Sequence, residues 1–382
     1  MEPTLVALRE MSVARTAKLF VSLELGDKKW HVAASDGGMR VSEYTVSAGD
    51  GPGLLEVIER ARVRFGLGED AAVVSCYEAG RDGFWLHRFL VSKGIENRLV
   101  DAASIEVNRR QRRAKTDRLD ARKLLSMLIR FEAGEKRVWS VLRVPSEAEE
   151  DARRPHRERE RLVKERRAHV VRIKSLLVLH NIRLKRVGGA GWAERLEALG
   201  LAPQLRQELE REAERLALVE RQIGQLEAEQ AKGLAEAAKA EVAEVLLVKQ
   251  QRLQRLVAVG PIGAWVLTRE LFGWRQFNNR RELAGSVGLG SSPYRSGELN
   301  HDQGISKAGN RRVRTLMVEL AWSWLRYQPD SALSKWYLQR FGQGNTRSRR
   351  IGIVALARRL LIALWQFVEH GVIPEGAKLK AA

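Results

Sequence analysis

Strand and helix patterns follow one another in a fixed order through the first third of the chain. Three short β-rich runs come first, at 18–24, 29–35 and 40–47, and the LGDK between the first two is typical of a hairpin turn. The predicted elements that follow are a helix at 53–65, a strand at 71–78, a helix at 81–94, a strand at 95–101 and a helix at 115–131. This order predicts a mixed α/β domain with a central sheet.

Three meandering strands followed by alternating helices and strands are the element order of a ribonuclease-H-like domain. We assign that domain to residues 15–145. The rest of the chain has mainly helical patterns, which we divide into a basic helical region at 146–250 and a C-terminal domain at 251–382. A chain of 382 residues is long enough for separate cores in each.

The charge balance predicts a polyanionic partner. The chain has 67 Lys and Arg against 47 Asp and Glu, a formal net charge of +20. Such a charge attracts nucleic acid and steers its approach. A ribosome-associated protein and a merely soluble basic enzyme are the alternatives.

Other composition features exclude several classes of protein. The single cysteine, Cys76, excludes a disulfide framework or a cysteine-based zinc site within one chain. The N-terminus is a poor signal peptide, and Arg358 and Arg359 interrupt the longest apolar run, at 351–368. We therefore expect a cytoplasmic protein without a membrane partner.

The basic helical region has two parts of different charge. Residues 151–186 contain 13 Lys or Arg against four Asp or Glu. Its candidate nucleic-acid-binding side chains are Arg166, Arg167, Arg172 and Lys174. Apolar residues then recur every three or four positions, at Leu205, Leu209, Leu216, Val219, Ile223 and Leu226. This spacing predicts either an antiparallel helical hairpin, with its turn at 188–192, or a coiled coil between chains.

The segment 253–277 resembles a helix–hairpin–helix unit, with Gly260 and Gly263 framing its turn. Such a turn presents backbone amides to a phosphate, because successive N–H groups and a helix N-terminus both favour an anion. An ordinary helix turn is the alternative.

Four carboxylates are placed to meet at one edge of the predicted sheet. Glu24 ends the first strand, Glu78 ends the fourth, and Asp117 and Asp120 lie three apart on one face of a helix. Hard divalent cations such as Mg²⁺ take oxygen ligands, and metal ions can stabilise both oxygens of a phosphoryl transfer. The alternative is a set of surface or salt-bridged acids. Asp27, in the hairpin turn, is expected to cap or bend the chain.

Cations surround both candidate sites. Five precede the helix that carries the two aspartates: Arg109, Arg110, Arg112, Arg113 and Lys115. They would suit a neighbouring phosphate backbone.

A polar loop is predicted at 288–312, with Ser296 near its middle. Gly297 follows and lets the backbone bring the hydroxyl close to a ligand. Cations that could stabilise an attacked phosphate are Arg295, Lys307, Arg311 and Arg312. An ordinary turn is the alternative, Ser291, Ser292, Ser306 and Tyr294 are rival nucleophiles, and the activating base is left open.

These segments together resemble a known family, the DEDD-type transposases of bacterial insertion sequences, which are RNA-guided recombinases using a bridge RNA. The likeness covers most of the chain. The matching segments are YEAG at 77–80, KTDRLDARKL at 115–124, the long ordered block at 259–314 and VALARRLLIALW at 354–365.

The resemblance implies a RuvC-like N-terminal domain, a coiled-coil insertion and a C-terminal transposase domain. Glu78, Asp117 and Asp120 match the second, third and fourth acids that bind Mg²⁺ in the family, and Ser296 matches its nucleophilic serine. The first acid departs from the pattern, because the family has Asp in a context like GIDVSK where this chain has VSLELGDK with Glu24. YRSGE also replaces the more usual SGG.

The family further implies how these groups act and with which partners. The acids and the serine would form a composite site across protomers, in a homo-oligomer such as a dimer or tetramer. The partners would be DNA, at the element ends and target, and a structured guide RNA. Two rival functions remain: a metal-dependent junction nuclease in which water attacks, and a catalytically inactive nucleic-acid-binding relative.

Overall fold

The computed structural model describes residues 17–106, 117–237, 245–296 and 299–380. The candidate cations between Arg109 and Lys115 lie outside the described residues. The chain divides into two compact units, Met1–Pro145 and Ser146–Ala382. The further boundary near residue 250 stays a prediction.

The first unit follows the predicted element order. Its elements are β1 (Lys18–Leu25), β2 (Lys29–Ser35), β3 (Ser42–Ser47), α1 (Gly51–Arg64), β4 (Ala72–Glu78), α2 (Trp85–Ser92), β5 (Glu96–Val100) and α3 (Asp117–Glu132). The second helix is shorter than predicted, because its chain turns at residues 81–84 before the helix begins.

A five-stranded sheet is the centre of this unit, with strand order β3-β2-β1-β4-β5. β1 pairs antiparallel with β2 and parallel with β4, and β4 pairs parallel with β5. The carboxyl ends of the three parallel strands therefore meet at one edge. This mixed α/β arrangement is consistent with a ribonuclease-H-like domain.

Helices cover both faces of the sheet because the central strands are apolar on both sides. Leu54 of α1 and Leu86 of α2 pack with Leu19 and Leu23 on one face. On the other face α3 packs against β4, in a cluster of buried residues that includes Val74, Cys76, Leu124 and Leu128. The sheet is thereby fixed between two layers of helix.

The second unit is mostly helical. Its helices are α4 (Glu147–Asp151), α5 (Arg154–Val178), α6 (Trp192–Glu197), α7 (Pro203–Ala237), α8 (Val245–Gln254), α9 (Pro261–Leu267), α10 (Arg280–Ser286), α11 (Arg311–Tyr327), α12 (Ala332–Phe341) and α13 (Thr346–His370). A π-helical turn at Thr268–Phe272 extends α9. The strands β6 (Ser291–Ser296) and β7 (Leu299–Ile305) form a hairpin.

α5 and α7 form an antiparallel pair. Leu209 and Leu216 are buried with Ile173 and Leu177 in one cluster. Val219 and Ile223 of α7 are buried with Leu162 in another. The apolar seam of α7 is thus covered within the chain, as in the predicted hairpin. The connection between the arms is longer than the predicted turn at 188–192 and includes α6.

Opposite charges reinforce this helical pair. Arg159 pairs with Glu227, Arg172 with Glu208, and His169 Nδ1 lies 2.7 Å from Glu212. The excess of cations on α5 is therefore partly neutralised by the glutamates of α7. A coiled coil between chains stays a prediction.

The C-terminal core surrounds α13. Leu356, Leu360, Leu364 and Phe367 are buried there with Trp324 of α11. α13 is long and apolar enough to cross a membrane, but half of its most apolar window is buried inside the unit. Packing of a core helix accounts for this composition.

A buried carboxylate joins distant segments of the second unit. Glu270, on the π-helical turn, is 1% exposed and receives bonds of 2.6 and 3.0 Å from Arg157 of α5. Asn310 Nδ2 donates to it at 2.9 Å, and His156 Nε2 lies 3.2 Å away. Burial would raise the pKa of Glu270, but His156 and Arg157 together hold it well below the ordinary value.

We predict that Glu270→Gln destabilises the protein by ~2–4 kcal/mol, since it leaves Arg157 without its carboxylate. Because the pKa of Glu270 is depressed on folding, its contribution is complete above the ordinary value of 4.5 and is lost as the pH falls below it. Urea unfolding at pH 7 and pH 4, followed by tryptophan fluorescence, measures both effects.

Glu227→Gln is the matched control, because it removes the surface partner of Arg159 and costs less than about 1 kcal/mol. The acid dependence is expected to be flatter in Glu270→Gln than in wild type. Equal losses in the two variants would contradict a special role for Glu270.

Candidate active site

The sheet register brings Glu24 and Glu78 side by side. In the parallel pair of β1 and β4, Ser22 lies opposite Cys76 and Leu23 opposite Tyr77. One residue further, Glu24 and Glu78 occupy neighbouring positions at the carboxyl edge, where adjacent strands are ~5 Å apart. Residues two apart on a strand share a face. Both glutamates therefore lie on the face that carries Ser22 and Cys76.

The helix that carries the aspartates covers that same face. Ser22 donates its hydroxyl to the carbonyl of Ala121 at 2.7 Å, and Cys76 Sγ lies 3.9 Å from the carbonyl of Leu124. These contacts fix the first two turns of α3 over β1 and β4. Burial of Cys76 beneath the helix raises the pKa of its thiol, so this cysteine serves packing.

Asp117 and Asp120 lie in the first turn of α3, three residues apart. The backbone of the β1–β2 turn approaches this helix end closely: a Cβ added to Gly26 would lie 3.8 Å from Asp117 Oδ2. Carboxylates in a first turn also stabilise the helix dipole, which is their simplest structural role. The structure therefore brings all four predicted acids to one edge.

The two arginines on the first turns of α3 pair with a carboxylate outside this set. Arg118 and Arg122 both pair with Glu43 of β3, and hydrogen bonding to Arg118, with Arg122, lowers the pKa of Glu43. Among the described residues, Glu78, Asp117 and Asp120 form no salt bridge. Asp27 lies in the bend between β1 and β2 and pairs with Arg81 at 2.6 Å.

The donor chemistry of this edge fits a divalent cation. Four carboxylates on one face supply the oxygen ligands that Mg²⁺ prefers, and Glu78, Asp117 and Asp120 pair with no cation among the residues that the structure describes. Within the described part of the chain, no three acidic, histidine or cysteine side chains are close enough to hold an ion as they stand. Glu78 and Asp117 are exposed, so rotation of their side chains can bring their oxygens nearer.

His31 is a neighbour of this site that the sequence pattern did not indicate. It lies directly opposite Glu24 in the β1–β2 pair and is half-buried. Cross-strand partners share a face and have Cβ atoms ~5 Å apart. The four-residue turn expected at LGDK would have placed Lys29 opposite Glu24. His31 could be identified as the neighbour of Glu24 only from the observed strand register.

The serine segment is a hairpin rather than the predicted loop. Ser296 is the last residue of β6 and pairs with Leu299, the first residue of β7. The prediction was wrong because Ile305 is the one β-branched residue of the two strands and polar side chains follow one another along them. In the sequence, the pair Gly297–Glu298 separates two runs of strand length, which is a pattern that indicates a hairpin. Rival nucleophile Tyr294 pairs with His301 in the backbone register.

The base of this hairpin is held by close backbone contacts. Gly288 and Gly309 have positive φ angles of 71° and 79°, and a Cβ at either would overlap a backbone carbonyl across the base. Arg314 donates from Nη1 to the carbonyls of Val287 and Ala308. These contacts fix the two chain segments at the base of the hairpin, and Arg314 contributes to them through its two hydrogen bonds.

The predicted nucleic-acid-binding residues fall into different environments. Arg312 pairs with Glu160, Arg172 with Glu208, and Lys174 donates to the carbonyl of Lys185. The exposed and unpaired cations among them are Arg166, Arg167, Lys307 and Arg311. The side chain of Arg295 lies outside the described part. Their contact with nucleic acid stays a prediction.

The two glycines of the predicted helix–hairpin–helix unit differ. Gly260 is exposed before the first residue of α9, whereas Gly263 is buried, with a potential Cβ 3.5 Å from Leu320. Gly263 thus permits close packing of α9 on α11. Phosphate binding at this turn stays a prediction.

Comparison with known proteins gives family matches in both units. Residues 250–336 match the model for the transposase IS116/IS110/IS902 family, and residues 23–182 match an IS110-type DEDD transposase model. Putative transposase y4rJ of Sinorhizobium fredii is 43% identical over 377 residues, which cover 95% of this chain and 94% of the relative.

Two further relatives are more distant. Putative transposase y4qE of the same organism is 31% identical over 85% of this chain and 76% of the relative. The transposase for insertion sequence element IS1111A of Coxiella burnetii is 27% identical over 65% of this chain and 64% of the relative.

We predict that Asp120→Asn weakens binding of Mn²⁺, a spectroscopic substitute for Mg²⁺, by roughly tenfold or more, since a charged oxygen is lost. Asp70→Asn is the matched control because Asp70 precedes β4 at the opposite edge of the sheet. Electron paramagnetic resonance of free Mn²⁺ gives both affinities. Equal affinities in the two variants would exclude Asp120 as a ligand.

Proposed function

Because the chain belongs to the transposase IS116/IS110/IS902 family, we propose that it cuts and joins DNA at the ends of an insertion sequence with two sets of groups. The carboxylates at the sheet edge hold a divalent cation, and Ser296 is the nucleophile. The observation that carries the proposal is the shared placement of Glu24, Glu78, Asp117 and Asp120 on one face of that edge.

The carboxylates would hold a divalent cation, and that cation would supply polarisation of the scissile phosphate. Glu78, Asp117 and Asp120 are the ligands that match the family pattern. Glu24 takes the first position, with a side chain one methylene longer than the aspartate of the family. Ser22 and Cys76 position the acids indirectly, because their contacts hold α3 over the two strand ends.

The chain's serine provides a reversible covalent link. Ser296 Oγ attacks the phosphorus, the bond from phosphorus to the 3′-oxygen breaks, and the leaving oxygen takes up a proton while serine loses one. A 3′-hydroxyl of the other strand then attacks the same phosphorus and displaces Oγ. The phosphodiester is conserved through both steps, so no ATP is required.

We also include a structured guide RNA and a homo-oligomer in the proposal, as the likeness to the family implies. The net charge of +20 supports binding of a second polyanion besides DNA. Sequence recognition of the target would then depend on base pairing to the RNA, and the protein would mainly contact backbones.

We predict that Ser296→Ala lowers formation of a covalent protein–DNA adduct by roughly 1,000-fold or more, because the attacking oxygen is removed. The assay contains protein with its co-purified RNA, Mg²⁺ and labelled DNA from the element's junction. The denatured products are separated on a gel.

Ser291→Ala is the matched control, since Ser291 begins the same strand, and it is expected to leave the adduct intact. Cleaved DNA with no adduct in wild type would identify the water-using nuclease instead. Binding without cleavage or adduct would identify an inactive relative, and Glu24→Asp would show whether the longer side chain is the cause.

A further inference from the structure

A large groove of the second unit is lined by cations among the described residues. It is formed by α10, the base of the β6–β7 hairpin, α12 and α13, and its volume is about 1740 Å³. Small-molecule pockets are smaller, roughly 300–1,000 Å³. The cations around it are Arg280, Arg281, Lys307, Arg347, Arg350 and Arg358, with Arg359 beside them. No carboxylate is among the described lining residues.

These cations are unpaired, unlike most of those on α5. None of them forms a salt bridge within the described part of the protein, whereas Arg157, Arg159 and Arg172 all do. Their mutual repulsion is therefore not offset inside the protein. An anion in the groove would provide the missing counter-charge.

The placement of the arginines on α13 opposes helix stability. Asn345 caps the helix, and Arg347, Arg349 and Arg350 follow within its first five residues. Cations at a helix N-terminus meet the positive end of the helix dipole, which destabilises the helix. Lys307 is also in an unfavourable conformation, with a φ of 58°. The N–H of Lys307 donates to the carbonyl of Gly288 at 3.1 Å, and Arg349 donates to that of Gly342 at 3.1 Å. The side chains of Arg347 and Arg350 have no such partner among the described residues.

The floor of the groove is apolar and includes an aromatic ring. Ile351 is 57% exposed there, and Val354 and Ile362 continue the same stripe of α13. The Arg359 guanidinium lies 4.0 Å from the ring centroid of Trp336. Apolar and aromatic surface beside phosphate-binding cations suits the accessible bases of a single strand. In a duplex the bases are paired in the interior and cannot reach such a surface.

We propose that this groove binds single-stranded DNA, with phosphates on the cationic walls and bases on the floor of α13. This inference rests on the proposed cutting and joining of DNA, which releases unpaired strand ends near the hairpin. An acidic peptide would also meet the charges, but the chain's family acts on DNA and the exposed floor fits bases. Ser291 and Ile305 place the groove at the base of the hairpin that carries Ser296.

The test measures binding of a fluorescent single-stranded DNA to the full-length protein in EDTA, over a series of salt concentrations. Arg347→Glu/Arg350→Glu should bind roughly tenfold more weakly, because two phosphate contacts are reversed in charge. The salt slope, log K against log salt, should become shallower by about 1.4, since each lost contact on a single strand removes about 0.7. Acidic residues at a helix start favour folding, so the loss would not come from unfolding.

Arg326→Glu/Arg340→Glu is the matched control, with the same change of net charge on exposed arginines outside the groove. It should keep the wild-type salt slope. An abasic strand of equal length tests the floor. Wild-type protein should bind it more weakly than the normal strand, and this difference in affinity should largely disappear in Ile351→Gln.

Unchanged binding in the groove variant, or equal losses in the two arginine pairs, would overturn the proposal. Tighter binding of duplex DNA or of an RNA strand, with the same losses in the groove variant, would also overturn it. These outcomes are separable from the proposed function, because EDTA prevents metal-dependent strand cleavage and the covalent adduct is measured independently.

Discussion

The parallel register of β1 and β4 is the constraint on which the acidic edge depends. With Ser22 opposite Cys76, both glutamates reach the carboxyl edge on the same face. A shift of one residue would turn Glu78 to the opposite face, away from α3. The alternation of Leu19, Val21 and Leu23 fixes which face of β1 is turned to the α1–α2 side, since all three are buried there. The site is thus a consequence of core packing rather than an addition to it.

Glu270 has a comparable role in the second unit. Its two carboxylate oxygens bond Arg157 of α5 and Asn310, and Asn310 also caps α11 through its side-chain oxygen. One buried charge therefore ties the helical pair to the segment that closes the hairpin base. A π-helical turn, which displaces one residue from the regular ladder, is what places this glutamate inward.

The sequence predicted most of the first unit because its signals are local. Alternation and helical spacing indicated five strands and three helices, and the order of elements led to the sheet edge where Glu24 and Glu78 meet. His31 could not be found in this way, since its position opposite Glu24 depends on the geometry of the turn. The hairpin around Ser296 was missed for a related reason: its strands depend on backbone pairing, and their side chains have little β-propensity.

The density of charged residues along the sequence was the least reliable guide to where the folded protein has unbalanced positive charge. The structure gives the physical reason. The 13 cations at 151–186 predicted a nucleic-acid-binding arm, and glutamates of α7 pair with two of them, Arg159 and Arg172, across the helical pair. Counting charges along a sequence cannot separate cations that are paired in the fold from those that are left over. Within the described residues the groove beside α13 has no such compensation, and Arg347 and Arg350 oppose a helix dipole as well as one another. In a protein with a net charge of +20, the positive potential is strongest where cations have no acidic side chains beside them. A polyanion therefore binds most favourably at such a place.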